Sequence, residues 1–272
     1  MAYTTNTAMQ RTELFGVPVD LGTKADALSF VEKRIREKKR TFITTPNPEF
    51  IVDAQGDKEF RAILQKADLA LPDGSGIIWA LRIIKGRPSI NPLRLPGVDF
   101  MLALCKRAAE QKWTVSLLGG GENVAEETKK VLERRFPGIR ICVLSERDPS
   151  TPPFDLAQDL RPFDFTQGSA QDDVKRHLLF VALGHKKQER FIVENQGRLG
   201  AAVAMGVGGA FDYISGRVPR APQWMQSAGF EWLFRLFVQP WRIKRQWKLL
   251  VFVFLVLRAY FYVVCLRRNN PL

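Results

Sequence analysis

Short apolar runs alternate with amphipathic stretches along residues 11–210. The runs at 41–45, 69–71, 114–118, 139–144, 178–183 and 201–206 are uninterrupted, not alternating, which is the pattern of strands buried on both faces. Between them lie stretches of helical period. One covers 24–38 behind a Thr23 cap. Another covers 49–66, with Phe50, Ile51, Ala54, Phe60, Ile63 and Leu64 near one face. Stretches 97–111, 122–136 and 186–195 complete the set.

Strand–helix alternation predicts an α/β fold: a Rossmann-like, mostly parallel sheet with helices on both faces and ligand sites at the carboxyl ends of its strands. Two segments break the pattern. Residues 145–173 carry a local duplication, Pro153-Phe154-Asp155 echoed by Pro162-Phe163-Asp164, and read as an inserted surface loop without a catalytic role. After Gly216 the chain becomes aromatic and basic. The expected organisation is a core over 1–216 and a C-terminal appendage over 217–272 whose deletion leaves a folded but poorly active core. Residues 249–266 are 17 apolar in 18, interrupted only by Arg258. A spanning helix needs roughly 20 apolar residues, so a short span and a helix lying in the interface both fit. The beginning of the sequence has no apolar core of a signal peptide, so the catalytic part is expected in the cytoplasm.

Charge sharpens this picture. The chain is +13 overall, and ten Lys/Arg against one acid, Glu231, lie between Arg217 and Leu272, giving +9 of that total. Beside so apolar a run, the basic and aromatic residues favour an anionic membrane over nucleic acid. Cys105, Cys142 and Cys265 are too scattered for a disulfide framework or a metal motif, and His177 and His185 give little support to a histidine metal site or a Ser-His-Asp triad.

Four strand–turn–helix junctions carry the candidate chemistry. In Thr44-Thr45-Pro46-Asn47-Pro48-Glu49, Thr45 and Asn47 are either helix caps or donors to a sugar or uracil. In Leu71-Pro72-Asp73-Gly74-Ser75-Gly76, Asp73 is either a cap or a general base taking a proton from an attacking hydroxyl. Gly119, Gly120 and Gly121 suit a diphosphate at a helix N-terminus, though not as a dinucleotide fingerprint. In the fourth, Gln188 of Gly184-His185-Lys186-Lys187-Gln188-Glu189 is either a solvated helix start or a nucleotide contact. Together they predict a nucleotide-type ligand in a cleft on one sheet edge. An epimerase or oxidoreductase would want a full G-x-G-x-x-G and a Tyr-x-x-x-Lys pair, and neither occurs. A non-catalytic membrane or nucleotide-sugar binder is the other alternative.

In this order, TTPNPEF at 44–50, ADLALPDGSGI at 67–77, RLPGVD at 94–99, LLGGGENVAE at 117–126, VALGHKKQE at 181–189 and the long stretch at 206–236 resemble the WecG/TagA/CpsF glycosyltransferases. The resemblance implies an inverting enzyme with no required metal or other cofactor. It moves an N-acetylmannosamine-like sugar from a UDP-sugar donor to a polyprenyl-diphosphate-linked acceptor at the cytoplasmic face of the bacterial plasma membrane. It implies Asp73 as base, Thr45, Asn47 and Gln188 in the donor pocket, and Arg94 on the diphosphate. Asp212 falls in the same family stretch. The expected arginines of the appendage are Arg217, Arg220 and Arg235. Self-association is left open. The chain departs from the family pattern at His185-Lys186, where a small residue and Pro are usual, which leaves open a phosphate contact from either.

Overall fold

The computed structural model describes residues 9–86, 94–144, 176–196, 198–240 and 243–269; the 145–173 insertion expected from the sequence lies outside them. The chain opens with a hairpin, β1 (Gln10–Leu14) and β2 (Val17–Leu21), turned by Phe15 and Gly16 with φ of 52° and 78°. Both positive φ values are those of a two-residue type I′ turn. Arg11 grips Asp20 through two 2.8 Å bonds, and Asp20 Oδ2 accepts from Ala70 N at 2.7 Å. The hairpin, absent from the strand set read off the sequence, thereby braces the strand that leads to Asp73.

The main sheet holds six parallel strands: β3 (Thr41–Thr44), β4 (Leu69–Ala70), β5 (Thr114–Gly119), β6 (Arg140–Leu144), β7 (His177–Ala182) and β8 (Val203–Gly206). Their spatial order is β4-β3-β8-β7-β5-β6. Each corresponds to one of the six apolar runs. The reason for uninterrupted runs is visible in β7: Leu178 and Phe180 enter one core, while Leu179 and Val181 enter another on the opposite face. The first core is closed by α1 (Lys24–Arg36), α5 (Gly97–Gln111) and α6 (Val124–Arg135). The second takes Ile192 of α7 (Lys187–Asn195). His177, buried at the start of β7, meets Ser116 at 2.8 Å, and desolvation pushes its pKa down to about 4.

Thr23 caps α1 with a full capping box, as expected. The single helix expected over 49–66 is two: α2 (Pro48–Gly56) and α3 (Lys58–Gln65). Asp57 breaks the run with φ −122° and ψ 94°, and its carboxylate caps α3 by accepting from Phe60 N at 2.9 Å. The apolar face shifts across the break: at ~100° per residue Phe60, Ile63 and Leu64 fall out of phase with Phe50, Ile51 and Ala54, so the one face expected over 49–66 is two.

Beyond α4 (Ser75–Lys85) and α8 (Ala210–Ser215), the C-terminal part forms α9 (Gln223–Ala228), α10 (Glu231–Val238) and the 27-residue α11 (Ile243–Asn269). Helix α11 lies on α2 and α4. Its Phe252 and Val256 are buried with Phe50, Ile51, Ile77 and Leu81. Its other side exposes Leu250, Val253, Phe254 and Phe261. Among the described residues no helix is long and apolar enough to cross a membrane.

Candidate functional site

All main-sheet strands are parallel, so the four junctions share the carboxyl edge as expected. Two of them open into a cavity of about 270 Å³ at the ends of β3 and β4. Asn47 stands on its wall and also caps α2, its Oδ1 accepting from Phe50 N at 3.1 Å. The cap reading of this residue holds, and the capping side chain also lines the cavity.

Asp73 reaches the cavity because the segment after β4 is tied on both sides. Leu71 N donates to Thr44 O at 2.9 Å, Asp73 N to Pro46 O at 2.9 Å and Leu95 N to Pro72 O at 3.1 Å. Asp73 Oδ2 accepts from Gly97 N at 3.4 Å, at the start of α5. Burial raises the Asp73 pKa above its ordinary value, opposed by the nearby Arg94 and Arg235 charges and assisted by Glu231. A carboxylate raised towards neutrality is a stronger base than a solvated one.

The appendage supplies the opposite wall: Gly229, Glu231, Trp232, Arg235 and Leu249 face Asp73, Ser75 and Arg94. Gly229 turns at φ 81° so close to α4 that an added Cβ would stand 2.7 Å from Ser75 Oγ. Only glycine fits that approach. Arg94 donates to Gln226 O at 3.0 Å and to the Glu231 carboxylate. Arg220 holds Asp99 through bonds of 2.6 and 2.9 Å, with its Nε 3.7 Å from Glu231 Oε1. Arg235 lies over the Tyr213 ring, 4.7 Å from its centroid. The Nε groups of Arg94, Arg220 and Arg235 are all buried without a hydrogen-bond partner among the described residues.

Other expected residues lie outside the cavity wall. Thr45 is buried against Gly97, and Arg217 is exposed and paired bidentately with Glu127 at 2.6 and 2.8 Å. Gly119 and Gly120 are packing glycines: an added Cβ would strike Ala182 O at 2.8 Å from the first and the Phe211 ring at 2.9 Å from the second. Asp212 sits in the first turn of α8. His185 binds Asp53 at 2.6 Å, Lys248 of α11 shares the same carboxylate oxygen at 2.8 Å, and Lys186 binds Asp57 at 2.9 Å. These two residues thus clamp helices here instead of facing the cavity.

Gln188 is buried and positions a loop. Its carbonyl accepts from Gly208 N at 2.9 Å and its amide donates to Glu189 Oε1 at 2.6 Å. Desolvation pushes the Glu189 pKa up to about 7, and its Oε2 has no partner among the described residues. A carboxyl with a raised folded pKa stabilises below its ordinary 4.5 and loses that contribution as pH rises through 7. Buried His177, with its depressed pKa, acts oppositely: stability falls as pH drops from 6.5 towards 4. Their slopes cancel between 4.5 and 6.5. Glu189→Gln therefore leaves the His177 slope alone, and stability from urea unfolding is expected to climb across that window by up to about one proton's worth, ~1.4 kcal/mol per pH unit. A flat profile in the variant would contradict this.

Glu231 and Trp232 went unassigned in the sequence reading. Glu231 did leave a signal there, as the sole acid in a strongly basic segment. Among the described residues, no three His, Cys, Asp or Glu side chains gather as a metal site.

The sequence matches known proteins over most of its length. The sequence model of the Glycosyl transferase WecG/TagA/CpsF family matches residues 12–263. A protein of Bacillus spizizenii named N-acetylglucosaminyldiphosphoundecaprenol N-acetyl-beta-D-mannosaminyltransferase is 33% identical over 222 residues, covering 82% of this chain and 80% of its own. One of the same name from Bacillus subtilis is 30% identical over 238 residues, 87% of each chain.

Proposed function

The chain belongs to the WecG/TagA/CpsF glycosyltransferase family, and from that premise we propose that it transfers an N-acetylmannosamine-like sugar from a UDP-sugar to a polyprenyl-diphosphate-linked N-acetylglucosamine, with inversion and without a metal. The acceptor and sugar follow the names of the relatives. The observation that carries the reading is one cavity walled by a carboxylate with raised pKa, Asp73, and by Arg94 and Arg235.

The chemistry is a single displacement. Asp73 takes the proton of the acceptor hydroxyl as its oxygen bonds to the anomeric carbon. The carbon–oxygen bond to UDP breaks from the opposite face, and the electron pair leaves with the diphosphate. Arg94 and Arg235 on the cavity wall, with Arg220 behind Glu231, compensate that charge in place of a metal. Asn47 contacts the donor sugar or base, and Thr45 shapes the β3 turn behind it.

A lipid-linked acceptor requires the cleft to meet the membrane. The exposed Trp232, Phe237, Phe254 and Phe261, beside the basic residues of α10 and α11, support docking of this wall at the cytoplasmic face of the membrane. Helix α11 keeps one side in the protein core, which supports surface attachment over crossing.

The test is UDP release by purified protein given UDP-N-acetylmannosamine in EDTA, with and without a lipid-diphosphate-N-acetylglucosamine analogue. Release that needs the acceptor and survives EDTA is expected. Release abolished by EDTA and restored by a divalent cation would overturn the metal-independent chemistry.

A further inference from the structure

Arg94 and Arg235 line the cleft, Arg220 stands beside it, and one carboxylate of the same chain, Glu231, lies against Arg94 and Arg220. Glu231, in the first turn of α10, is 12% exposed, bonds Arg94 and lies 3.7 Å from Arg220 Nε. It faces the cavity that Asp73 and Arg235 also line. Arg220 already holds Asp99 at 2.6 and 2.9 Å through its two terminal nitrogens, and Arg94 also holds Gln226 O. A strut between core and appendage is therefore present without Glu231. What Glu231 adds is a negative charge at the place where the cleft's cations gather.

We propose that Glu231 is an internal anion that occupies the Arg94–Arg220 pair in the resting enzyme, and that the substrate's diphosphate must displace it. The proposal rests on the diphosphate reading of the arginine cluster. No covalent bond changes: two guanidinium groups exchange a carboxylate for phosphoryl oxygens, and the carboxylate returns as UDP departs. Two consequences follow from charge alone. A diphosphate, which offers several oxygens to more than one arginine, competes with Glu231 better than a monophosphate, so the residue contributes to ligand choice. The displaced carboxylate also stays near the bound anion and repels it, which hastens release of the UDP product.

The experiment measures UDP, UMP and inorganic pyrophosphate binding by calorimetry at fixed ionic strength. It uses the full chain, its Glu231→Gln, Glu231→Asp and Arg94→Ala variants, and a thermal melt of each. Glu231→Gln keeps the shape and removes the charge. It is expected to bind UDP about tenfold more tightly and to narrow the gap between UDP and UMP. Glu231→Asp keeps the charge and is expected to stay near wild type. Weaker or unchanged UDP binding by Glu231→Gln, with wild type binding UDP and Arg94→Ala losing it, would overturn the internal anion while leaving the arginine reading intact. Equal UDP binding by wild type and Arg94→Ala, or no UDP binding by any form, would overturn both.

Discussion

Asp73→Asn is expected to lower turnover by about two to four orders of magnitude while UDP binding changes little. The amide keeps the size of the carboxylate and can still meet Gly97 N, so the β4–α4 turn, held by the backbone bonds of Leu71 and Asp73, has no reason to move. What disappears is the proton acceptor. Because burial raises the Asp73 pKa, wild-type activity is expected to fall on the acid side as the carboxylate protonates, at a pH above the ordinary 3.8 of an aspartate. In Asp73→Asn that acid limb is expected to vanish from the residual rate. Initial rates of UDP release against pH for both proteins check this. A variant that keeps most of its turnover would remove Asp73 from the chemistry.

Phe252→Ala is expected to cost about 3–5 kcal/mol of stability, the usual range for deleting a buried aromatic ring. Phe252 is 3% exposed and sits 3.5 Å from where a Cβ on Gly76 would stand, in one apolar cluster with Phe50, Ile51 and Ile77. Its loss opens a void beneath α11 and loosens the helix that carries Leu249 to the cleft and Lys248 to Asp53. Urea unfolding gives the loss directly. An exposed neighbour, Phe254→Ala, serves as control and is expected to stay within about 0.5 kcal/mol. Equal, small effects would show that α11 is dispensable to the core. The same packing bears on the expectation that a chain cut after Gly216 stays folded: the cut strips Phe252 and Val256 from a shared cluster.

The sheet was legible because strands covered on both faces must be apolar at every position, and each of the six runs became a strand. The placement of Asp73 and Asn47 on one cavity was legible because strand-end motifs in this fold class face one edge, whereas Arg94 was indicated only by the family resemblance. The limits of that reasoning lie in strand order. Gln188 follows β7 and Gly119 closes β5, which stand two and three strands from β3, about 10 and 14 Å at the usual spacing. They share the edge with Asp73 without reaching its cavity, and nothing in the local sequence encodes that distance. Glu231 was hidden for a related reason. A lone acid in a basic segment reads as a solvated charge until tertiary packing brings α10 across the cleft and sets it on Arg94, 137 residues earlier in the chain. The β1–β2 hairpin also escaped, although its Phe-Gly turn carries the positive φ values that mark it.

The central claim is sugar transfer to a lipid-linked acceptor, and the mass of the acceptor tests it most directly. Wild-type protein is incubated with UDP-N-acetylmannosamine and a short-chain polyprenyl-diphosphate-N-acetylglucosamine, and the lipid product is weighed by mass spectrometry. The account predicts a product heavier by one N-acetylhexosamine residue, formed by wild type and nearly absent with Asp73→Asn. Free sugar and UDP accumulating beside an acceptor of unchanged mass would contradict it.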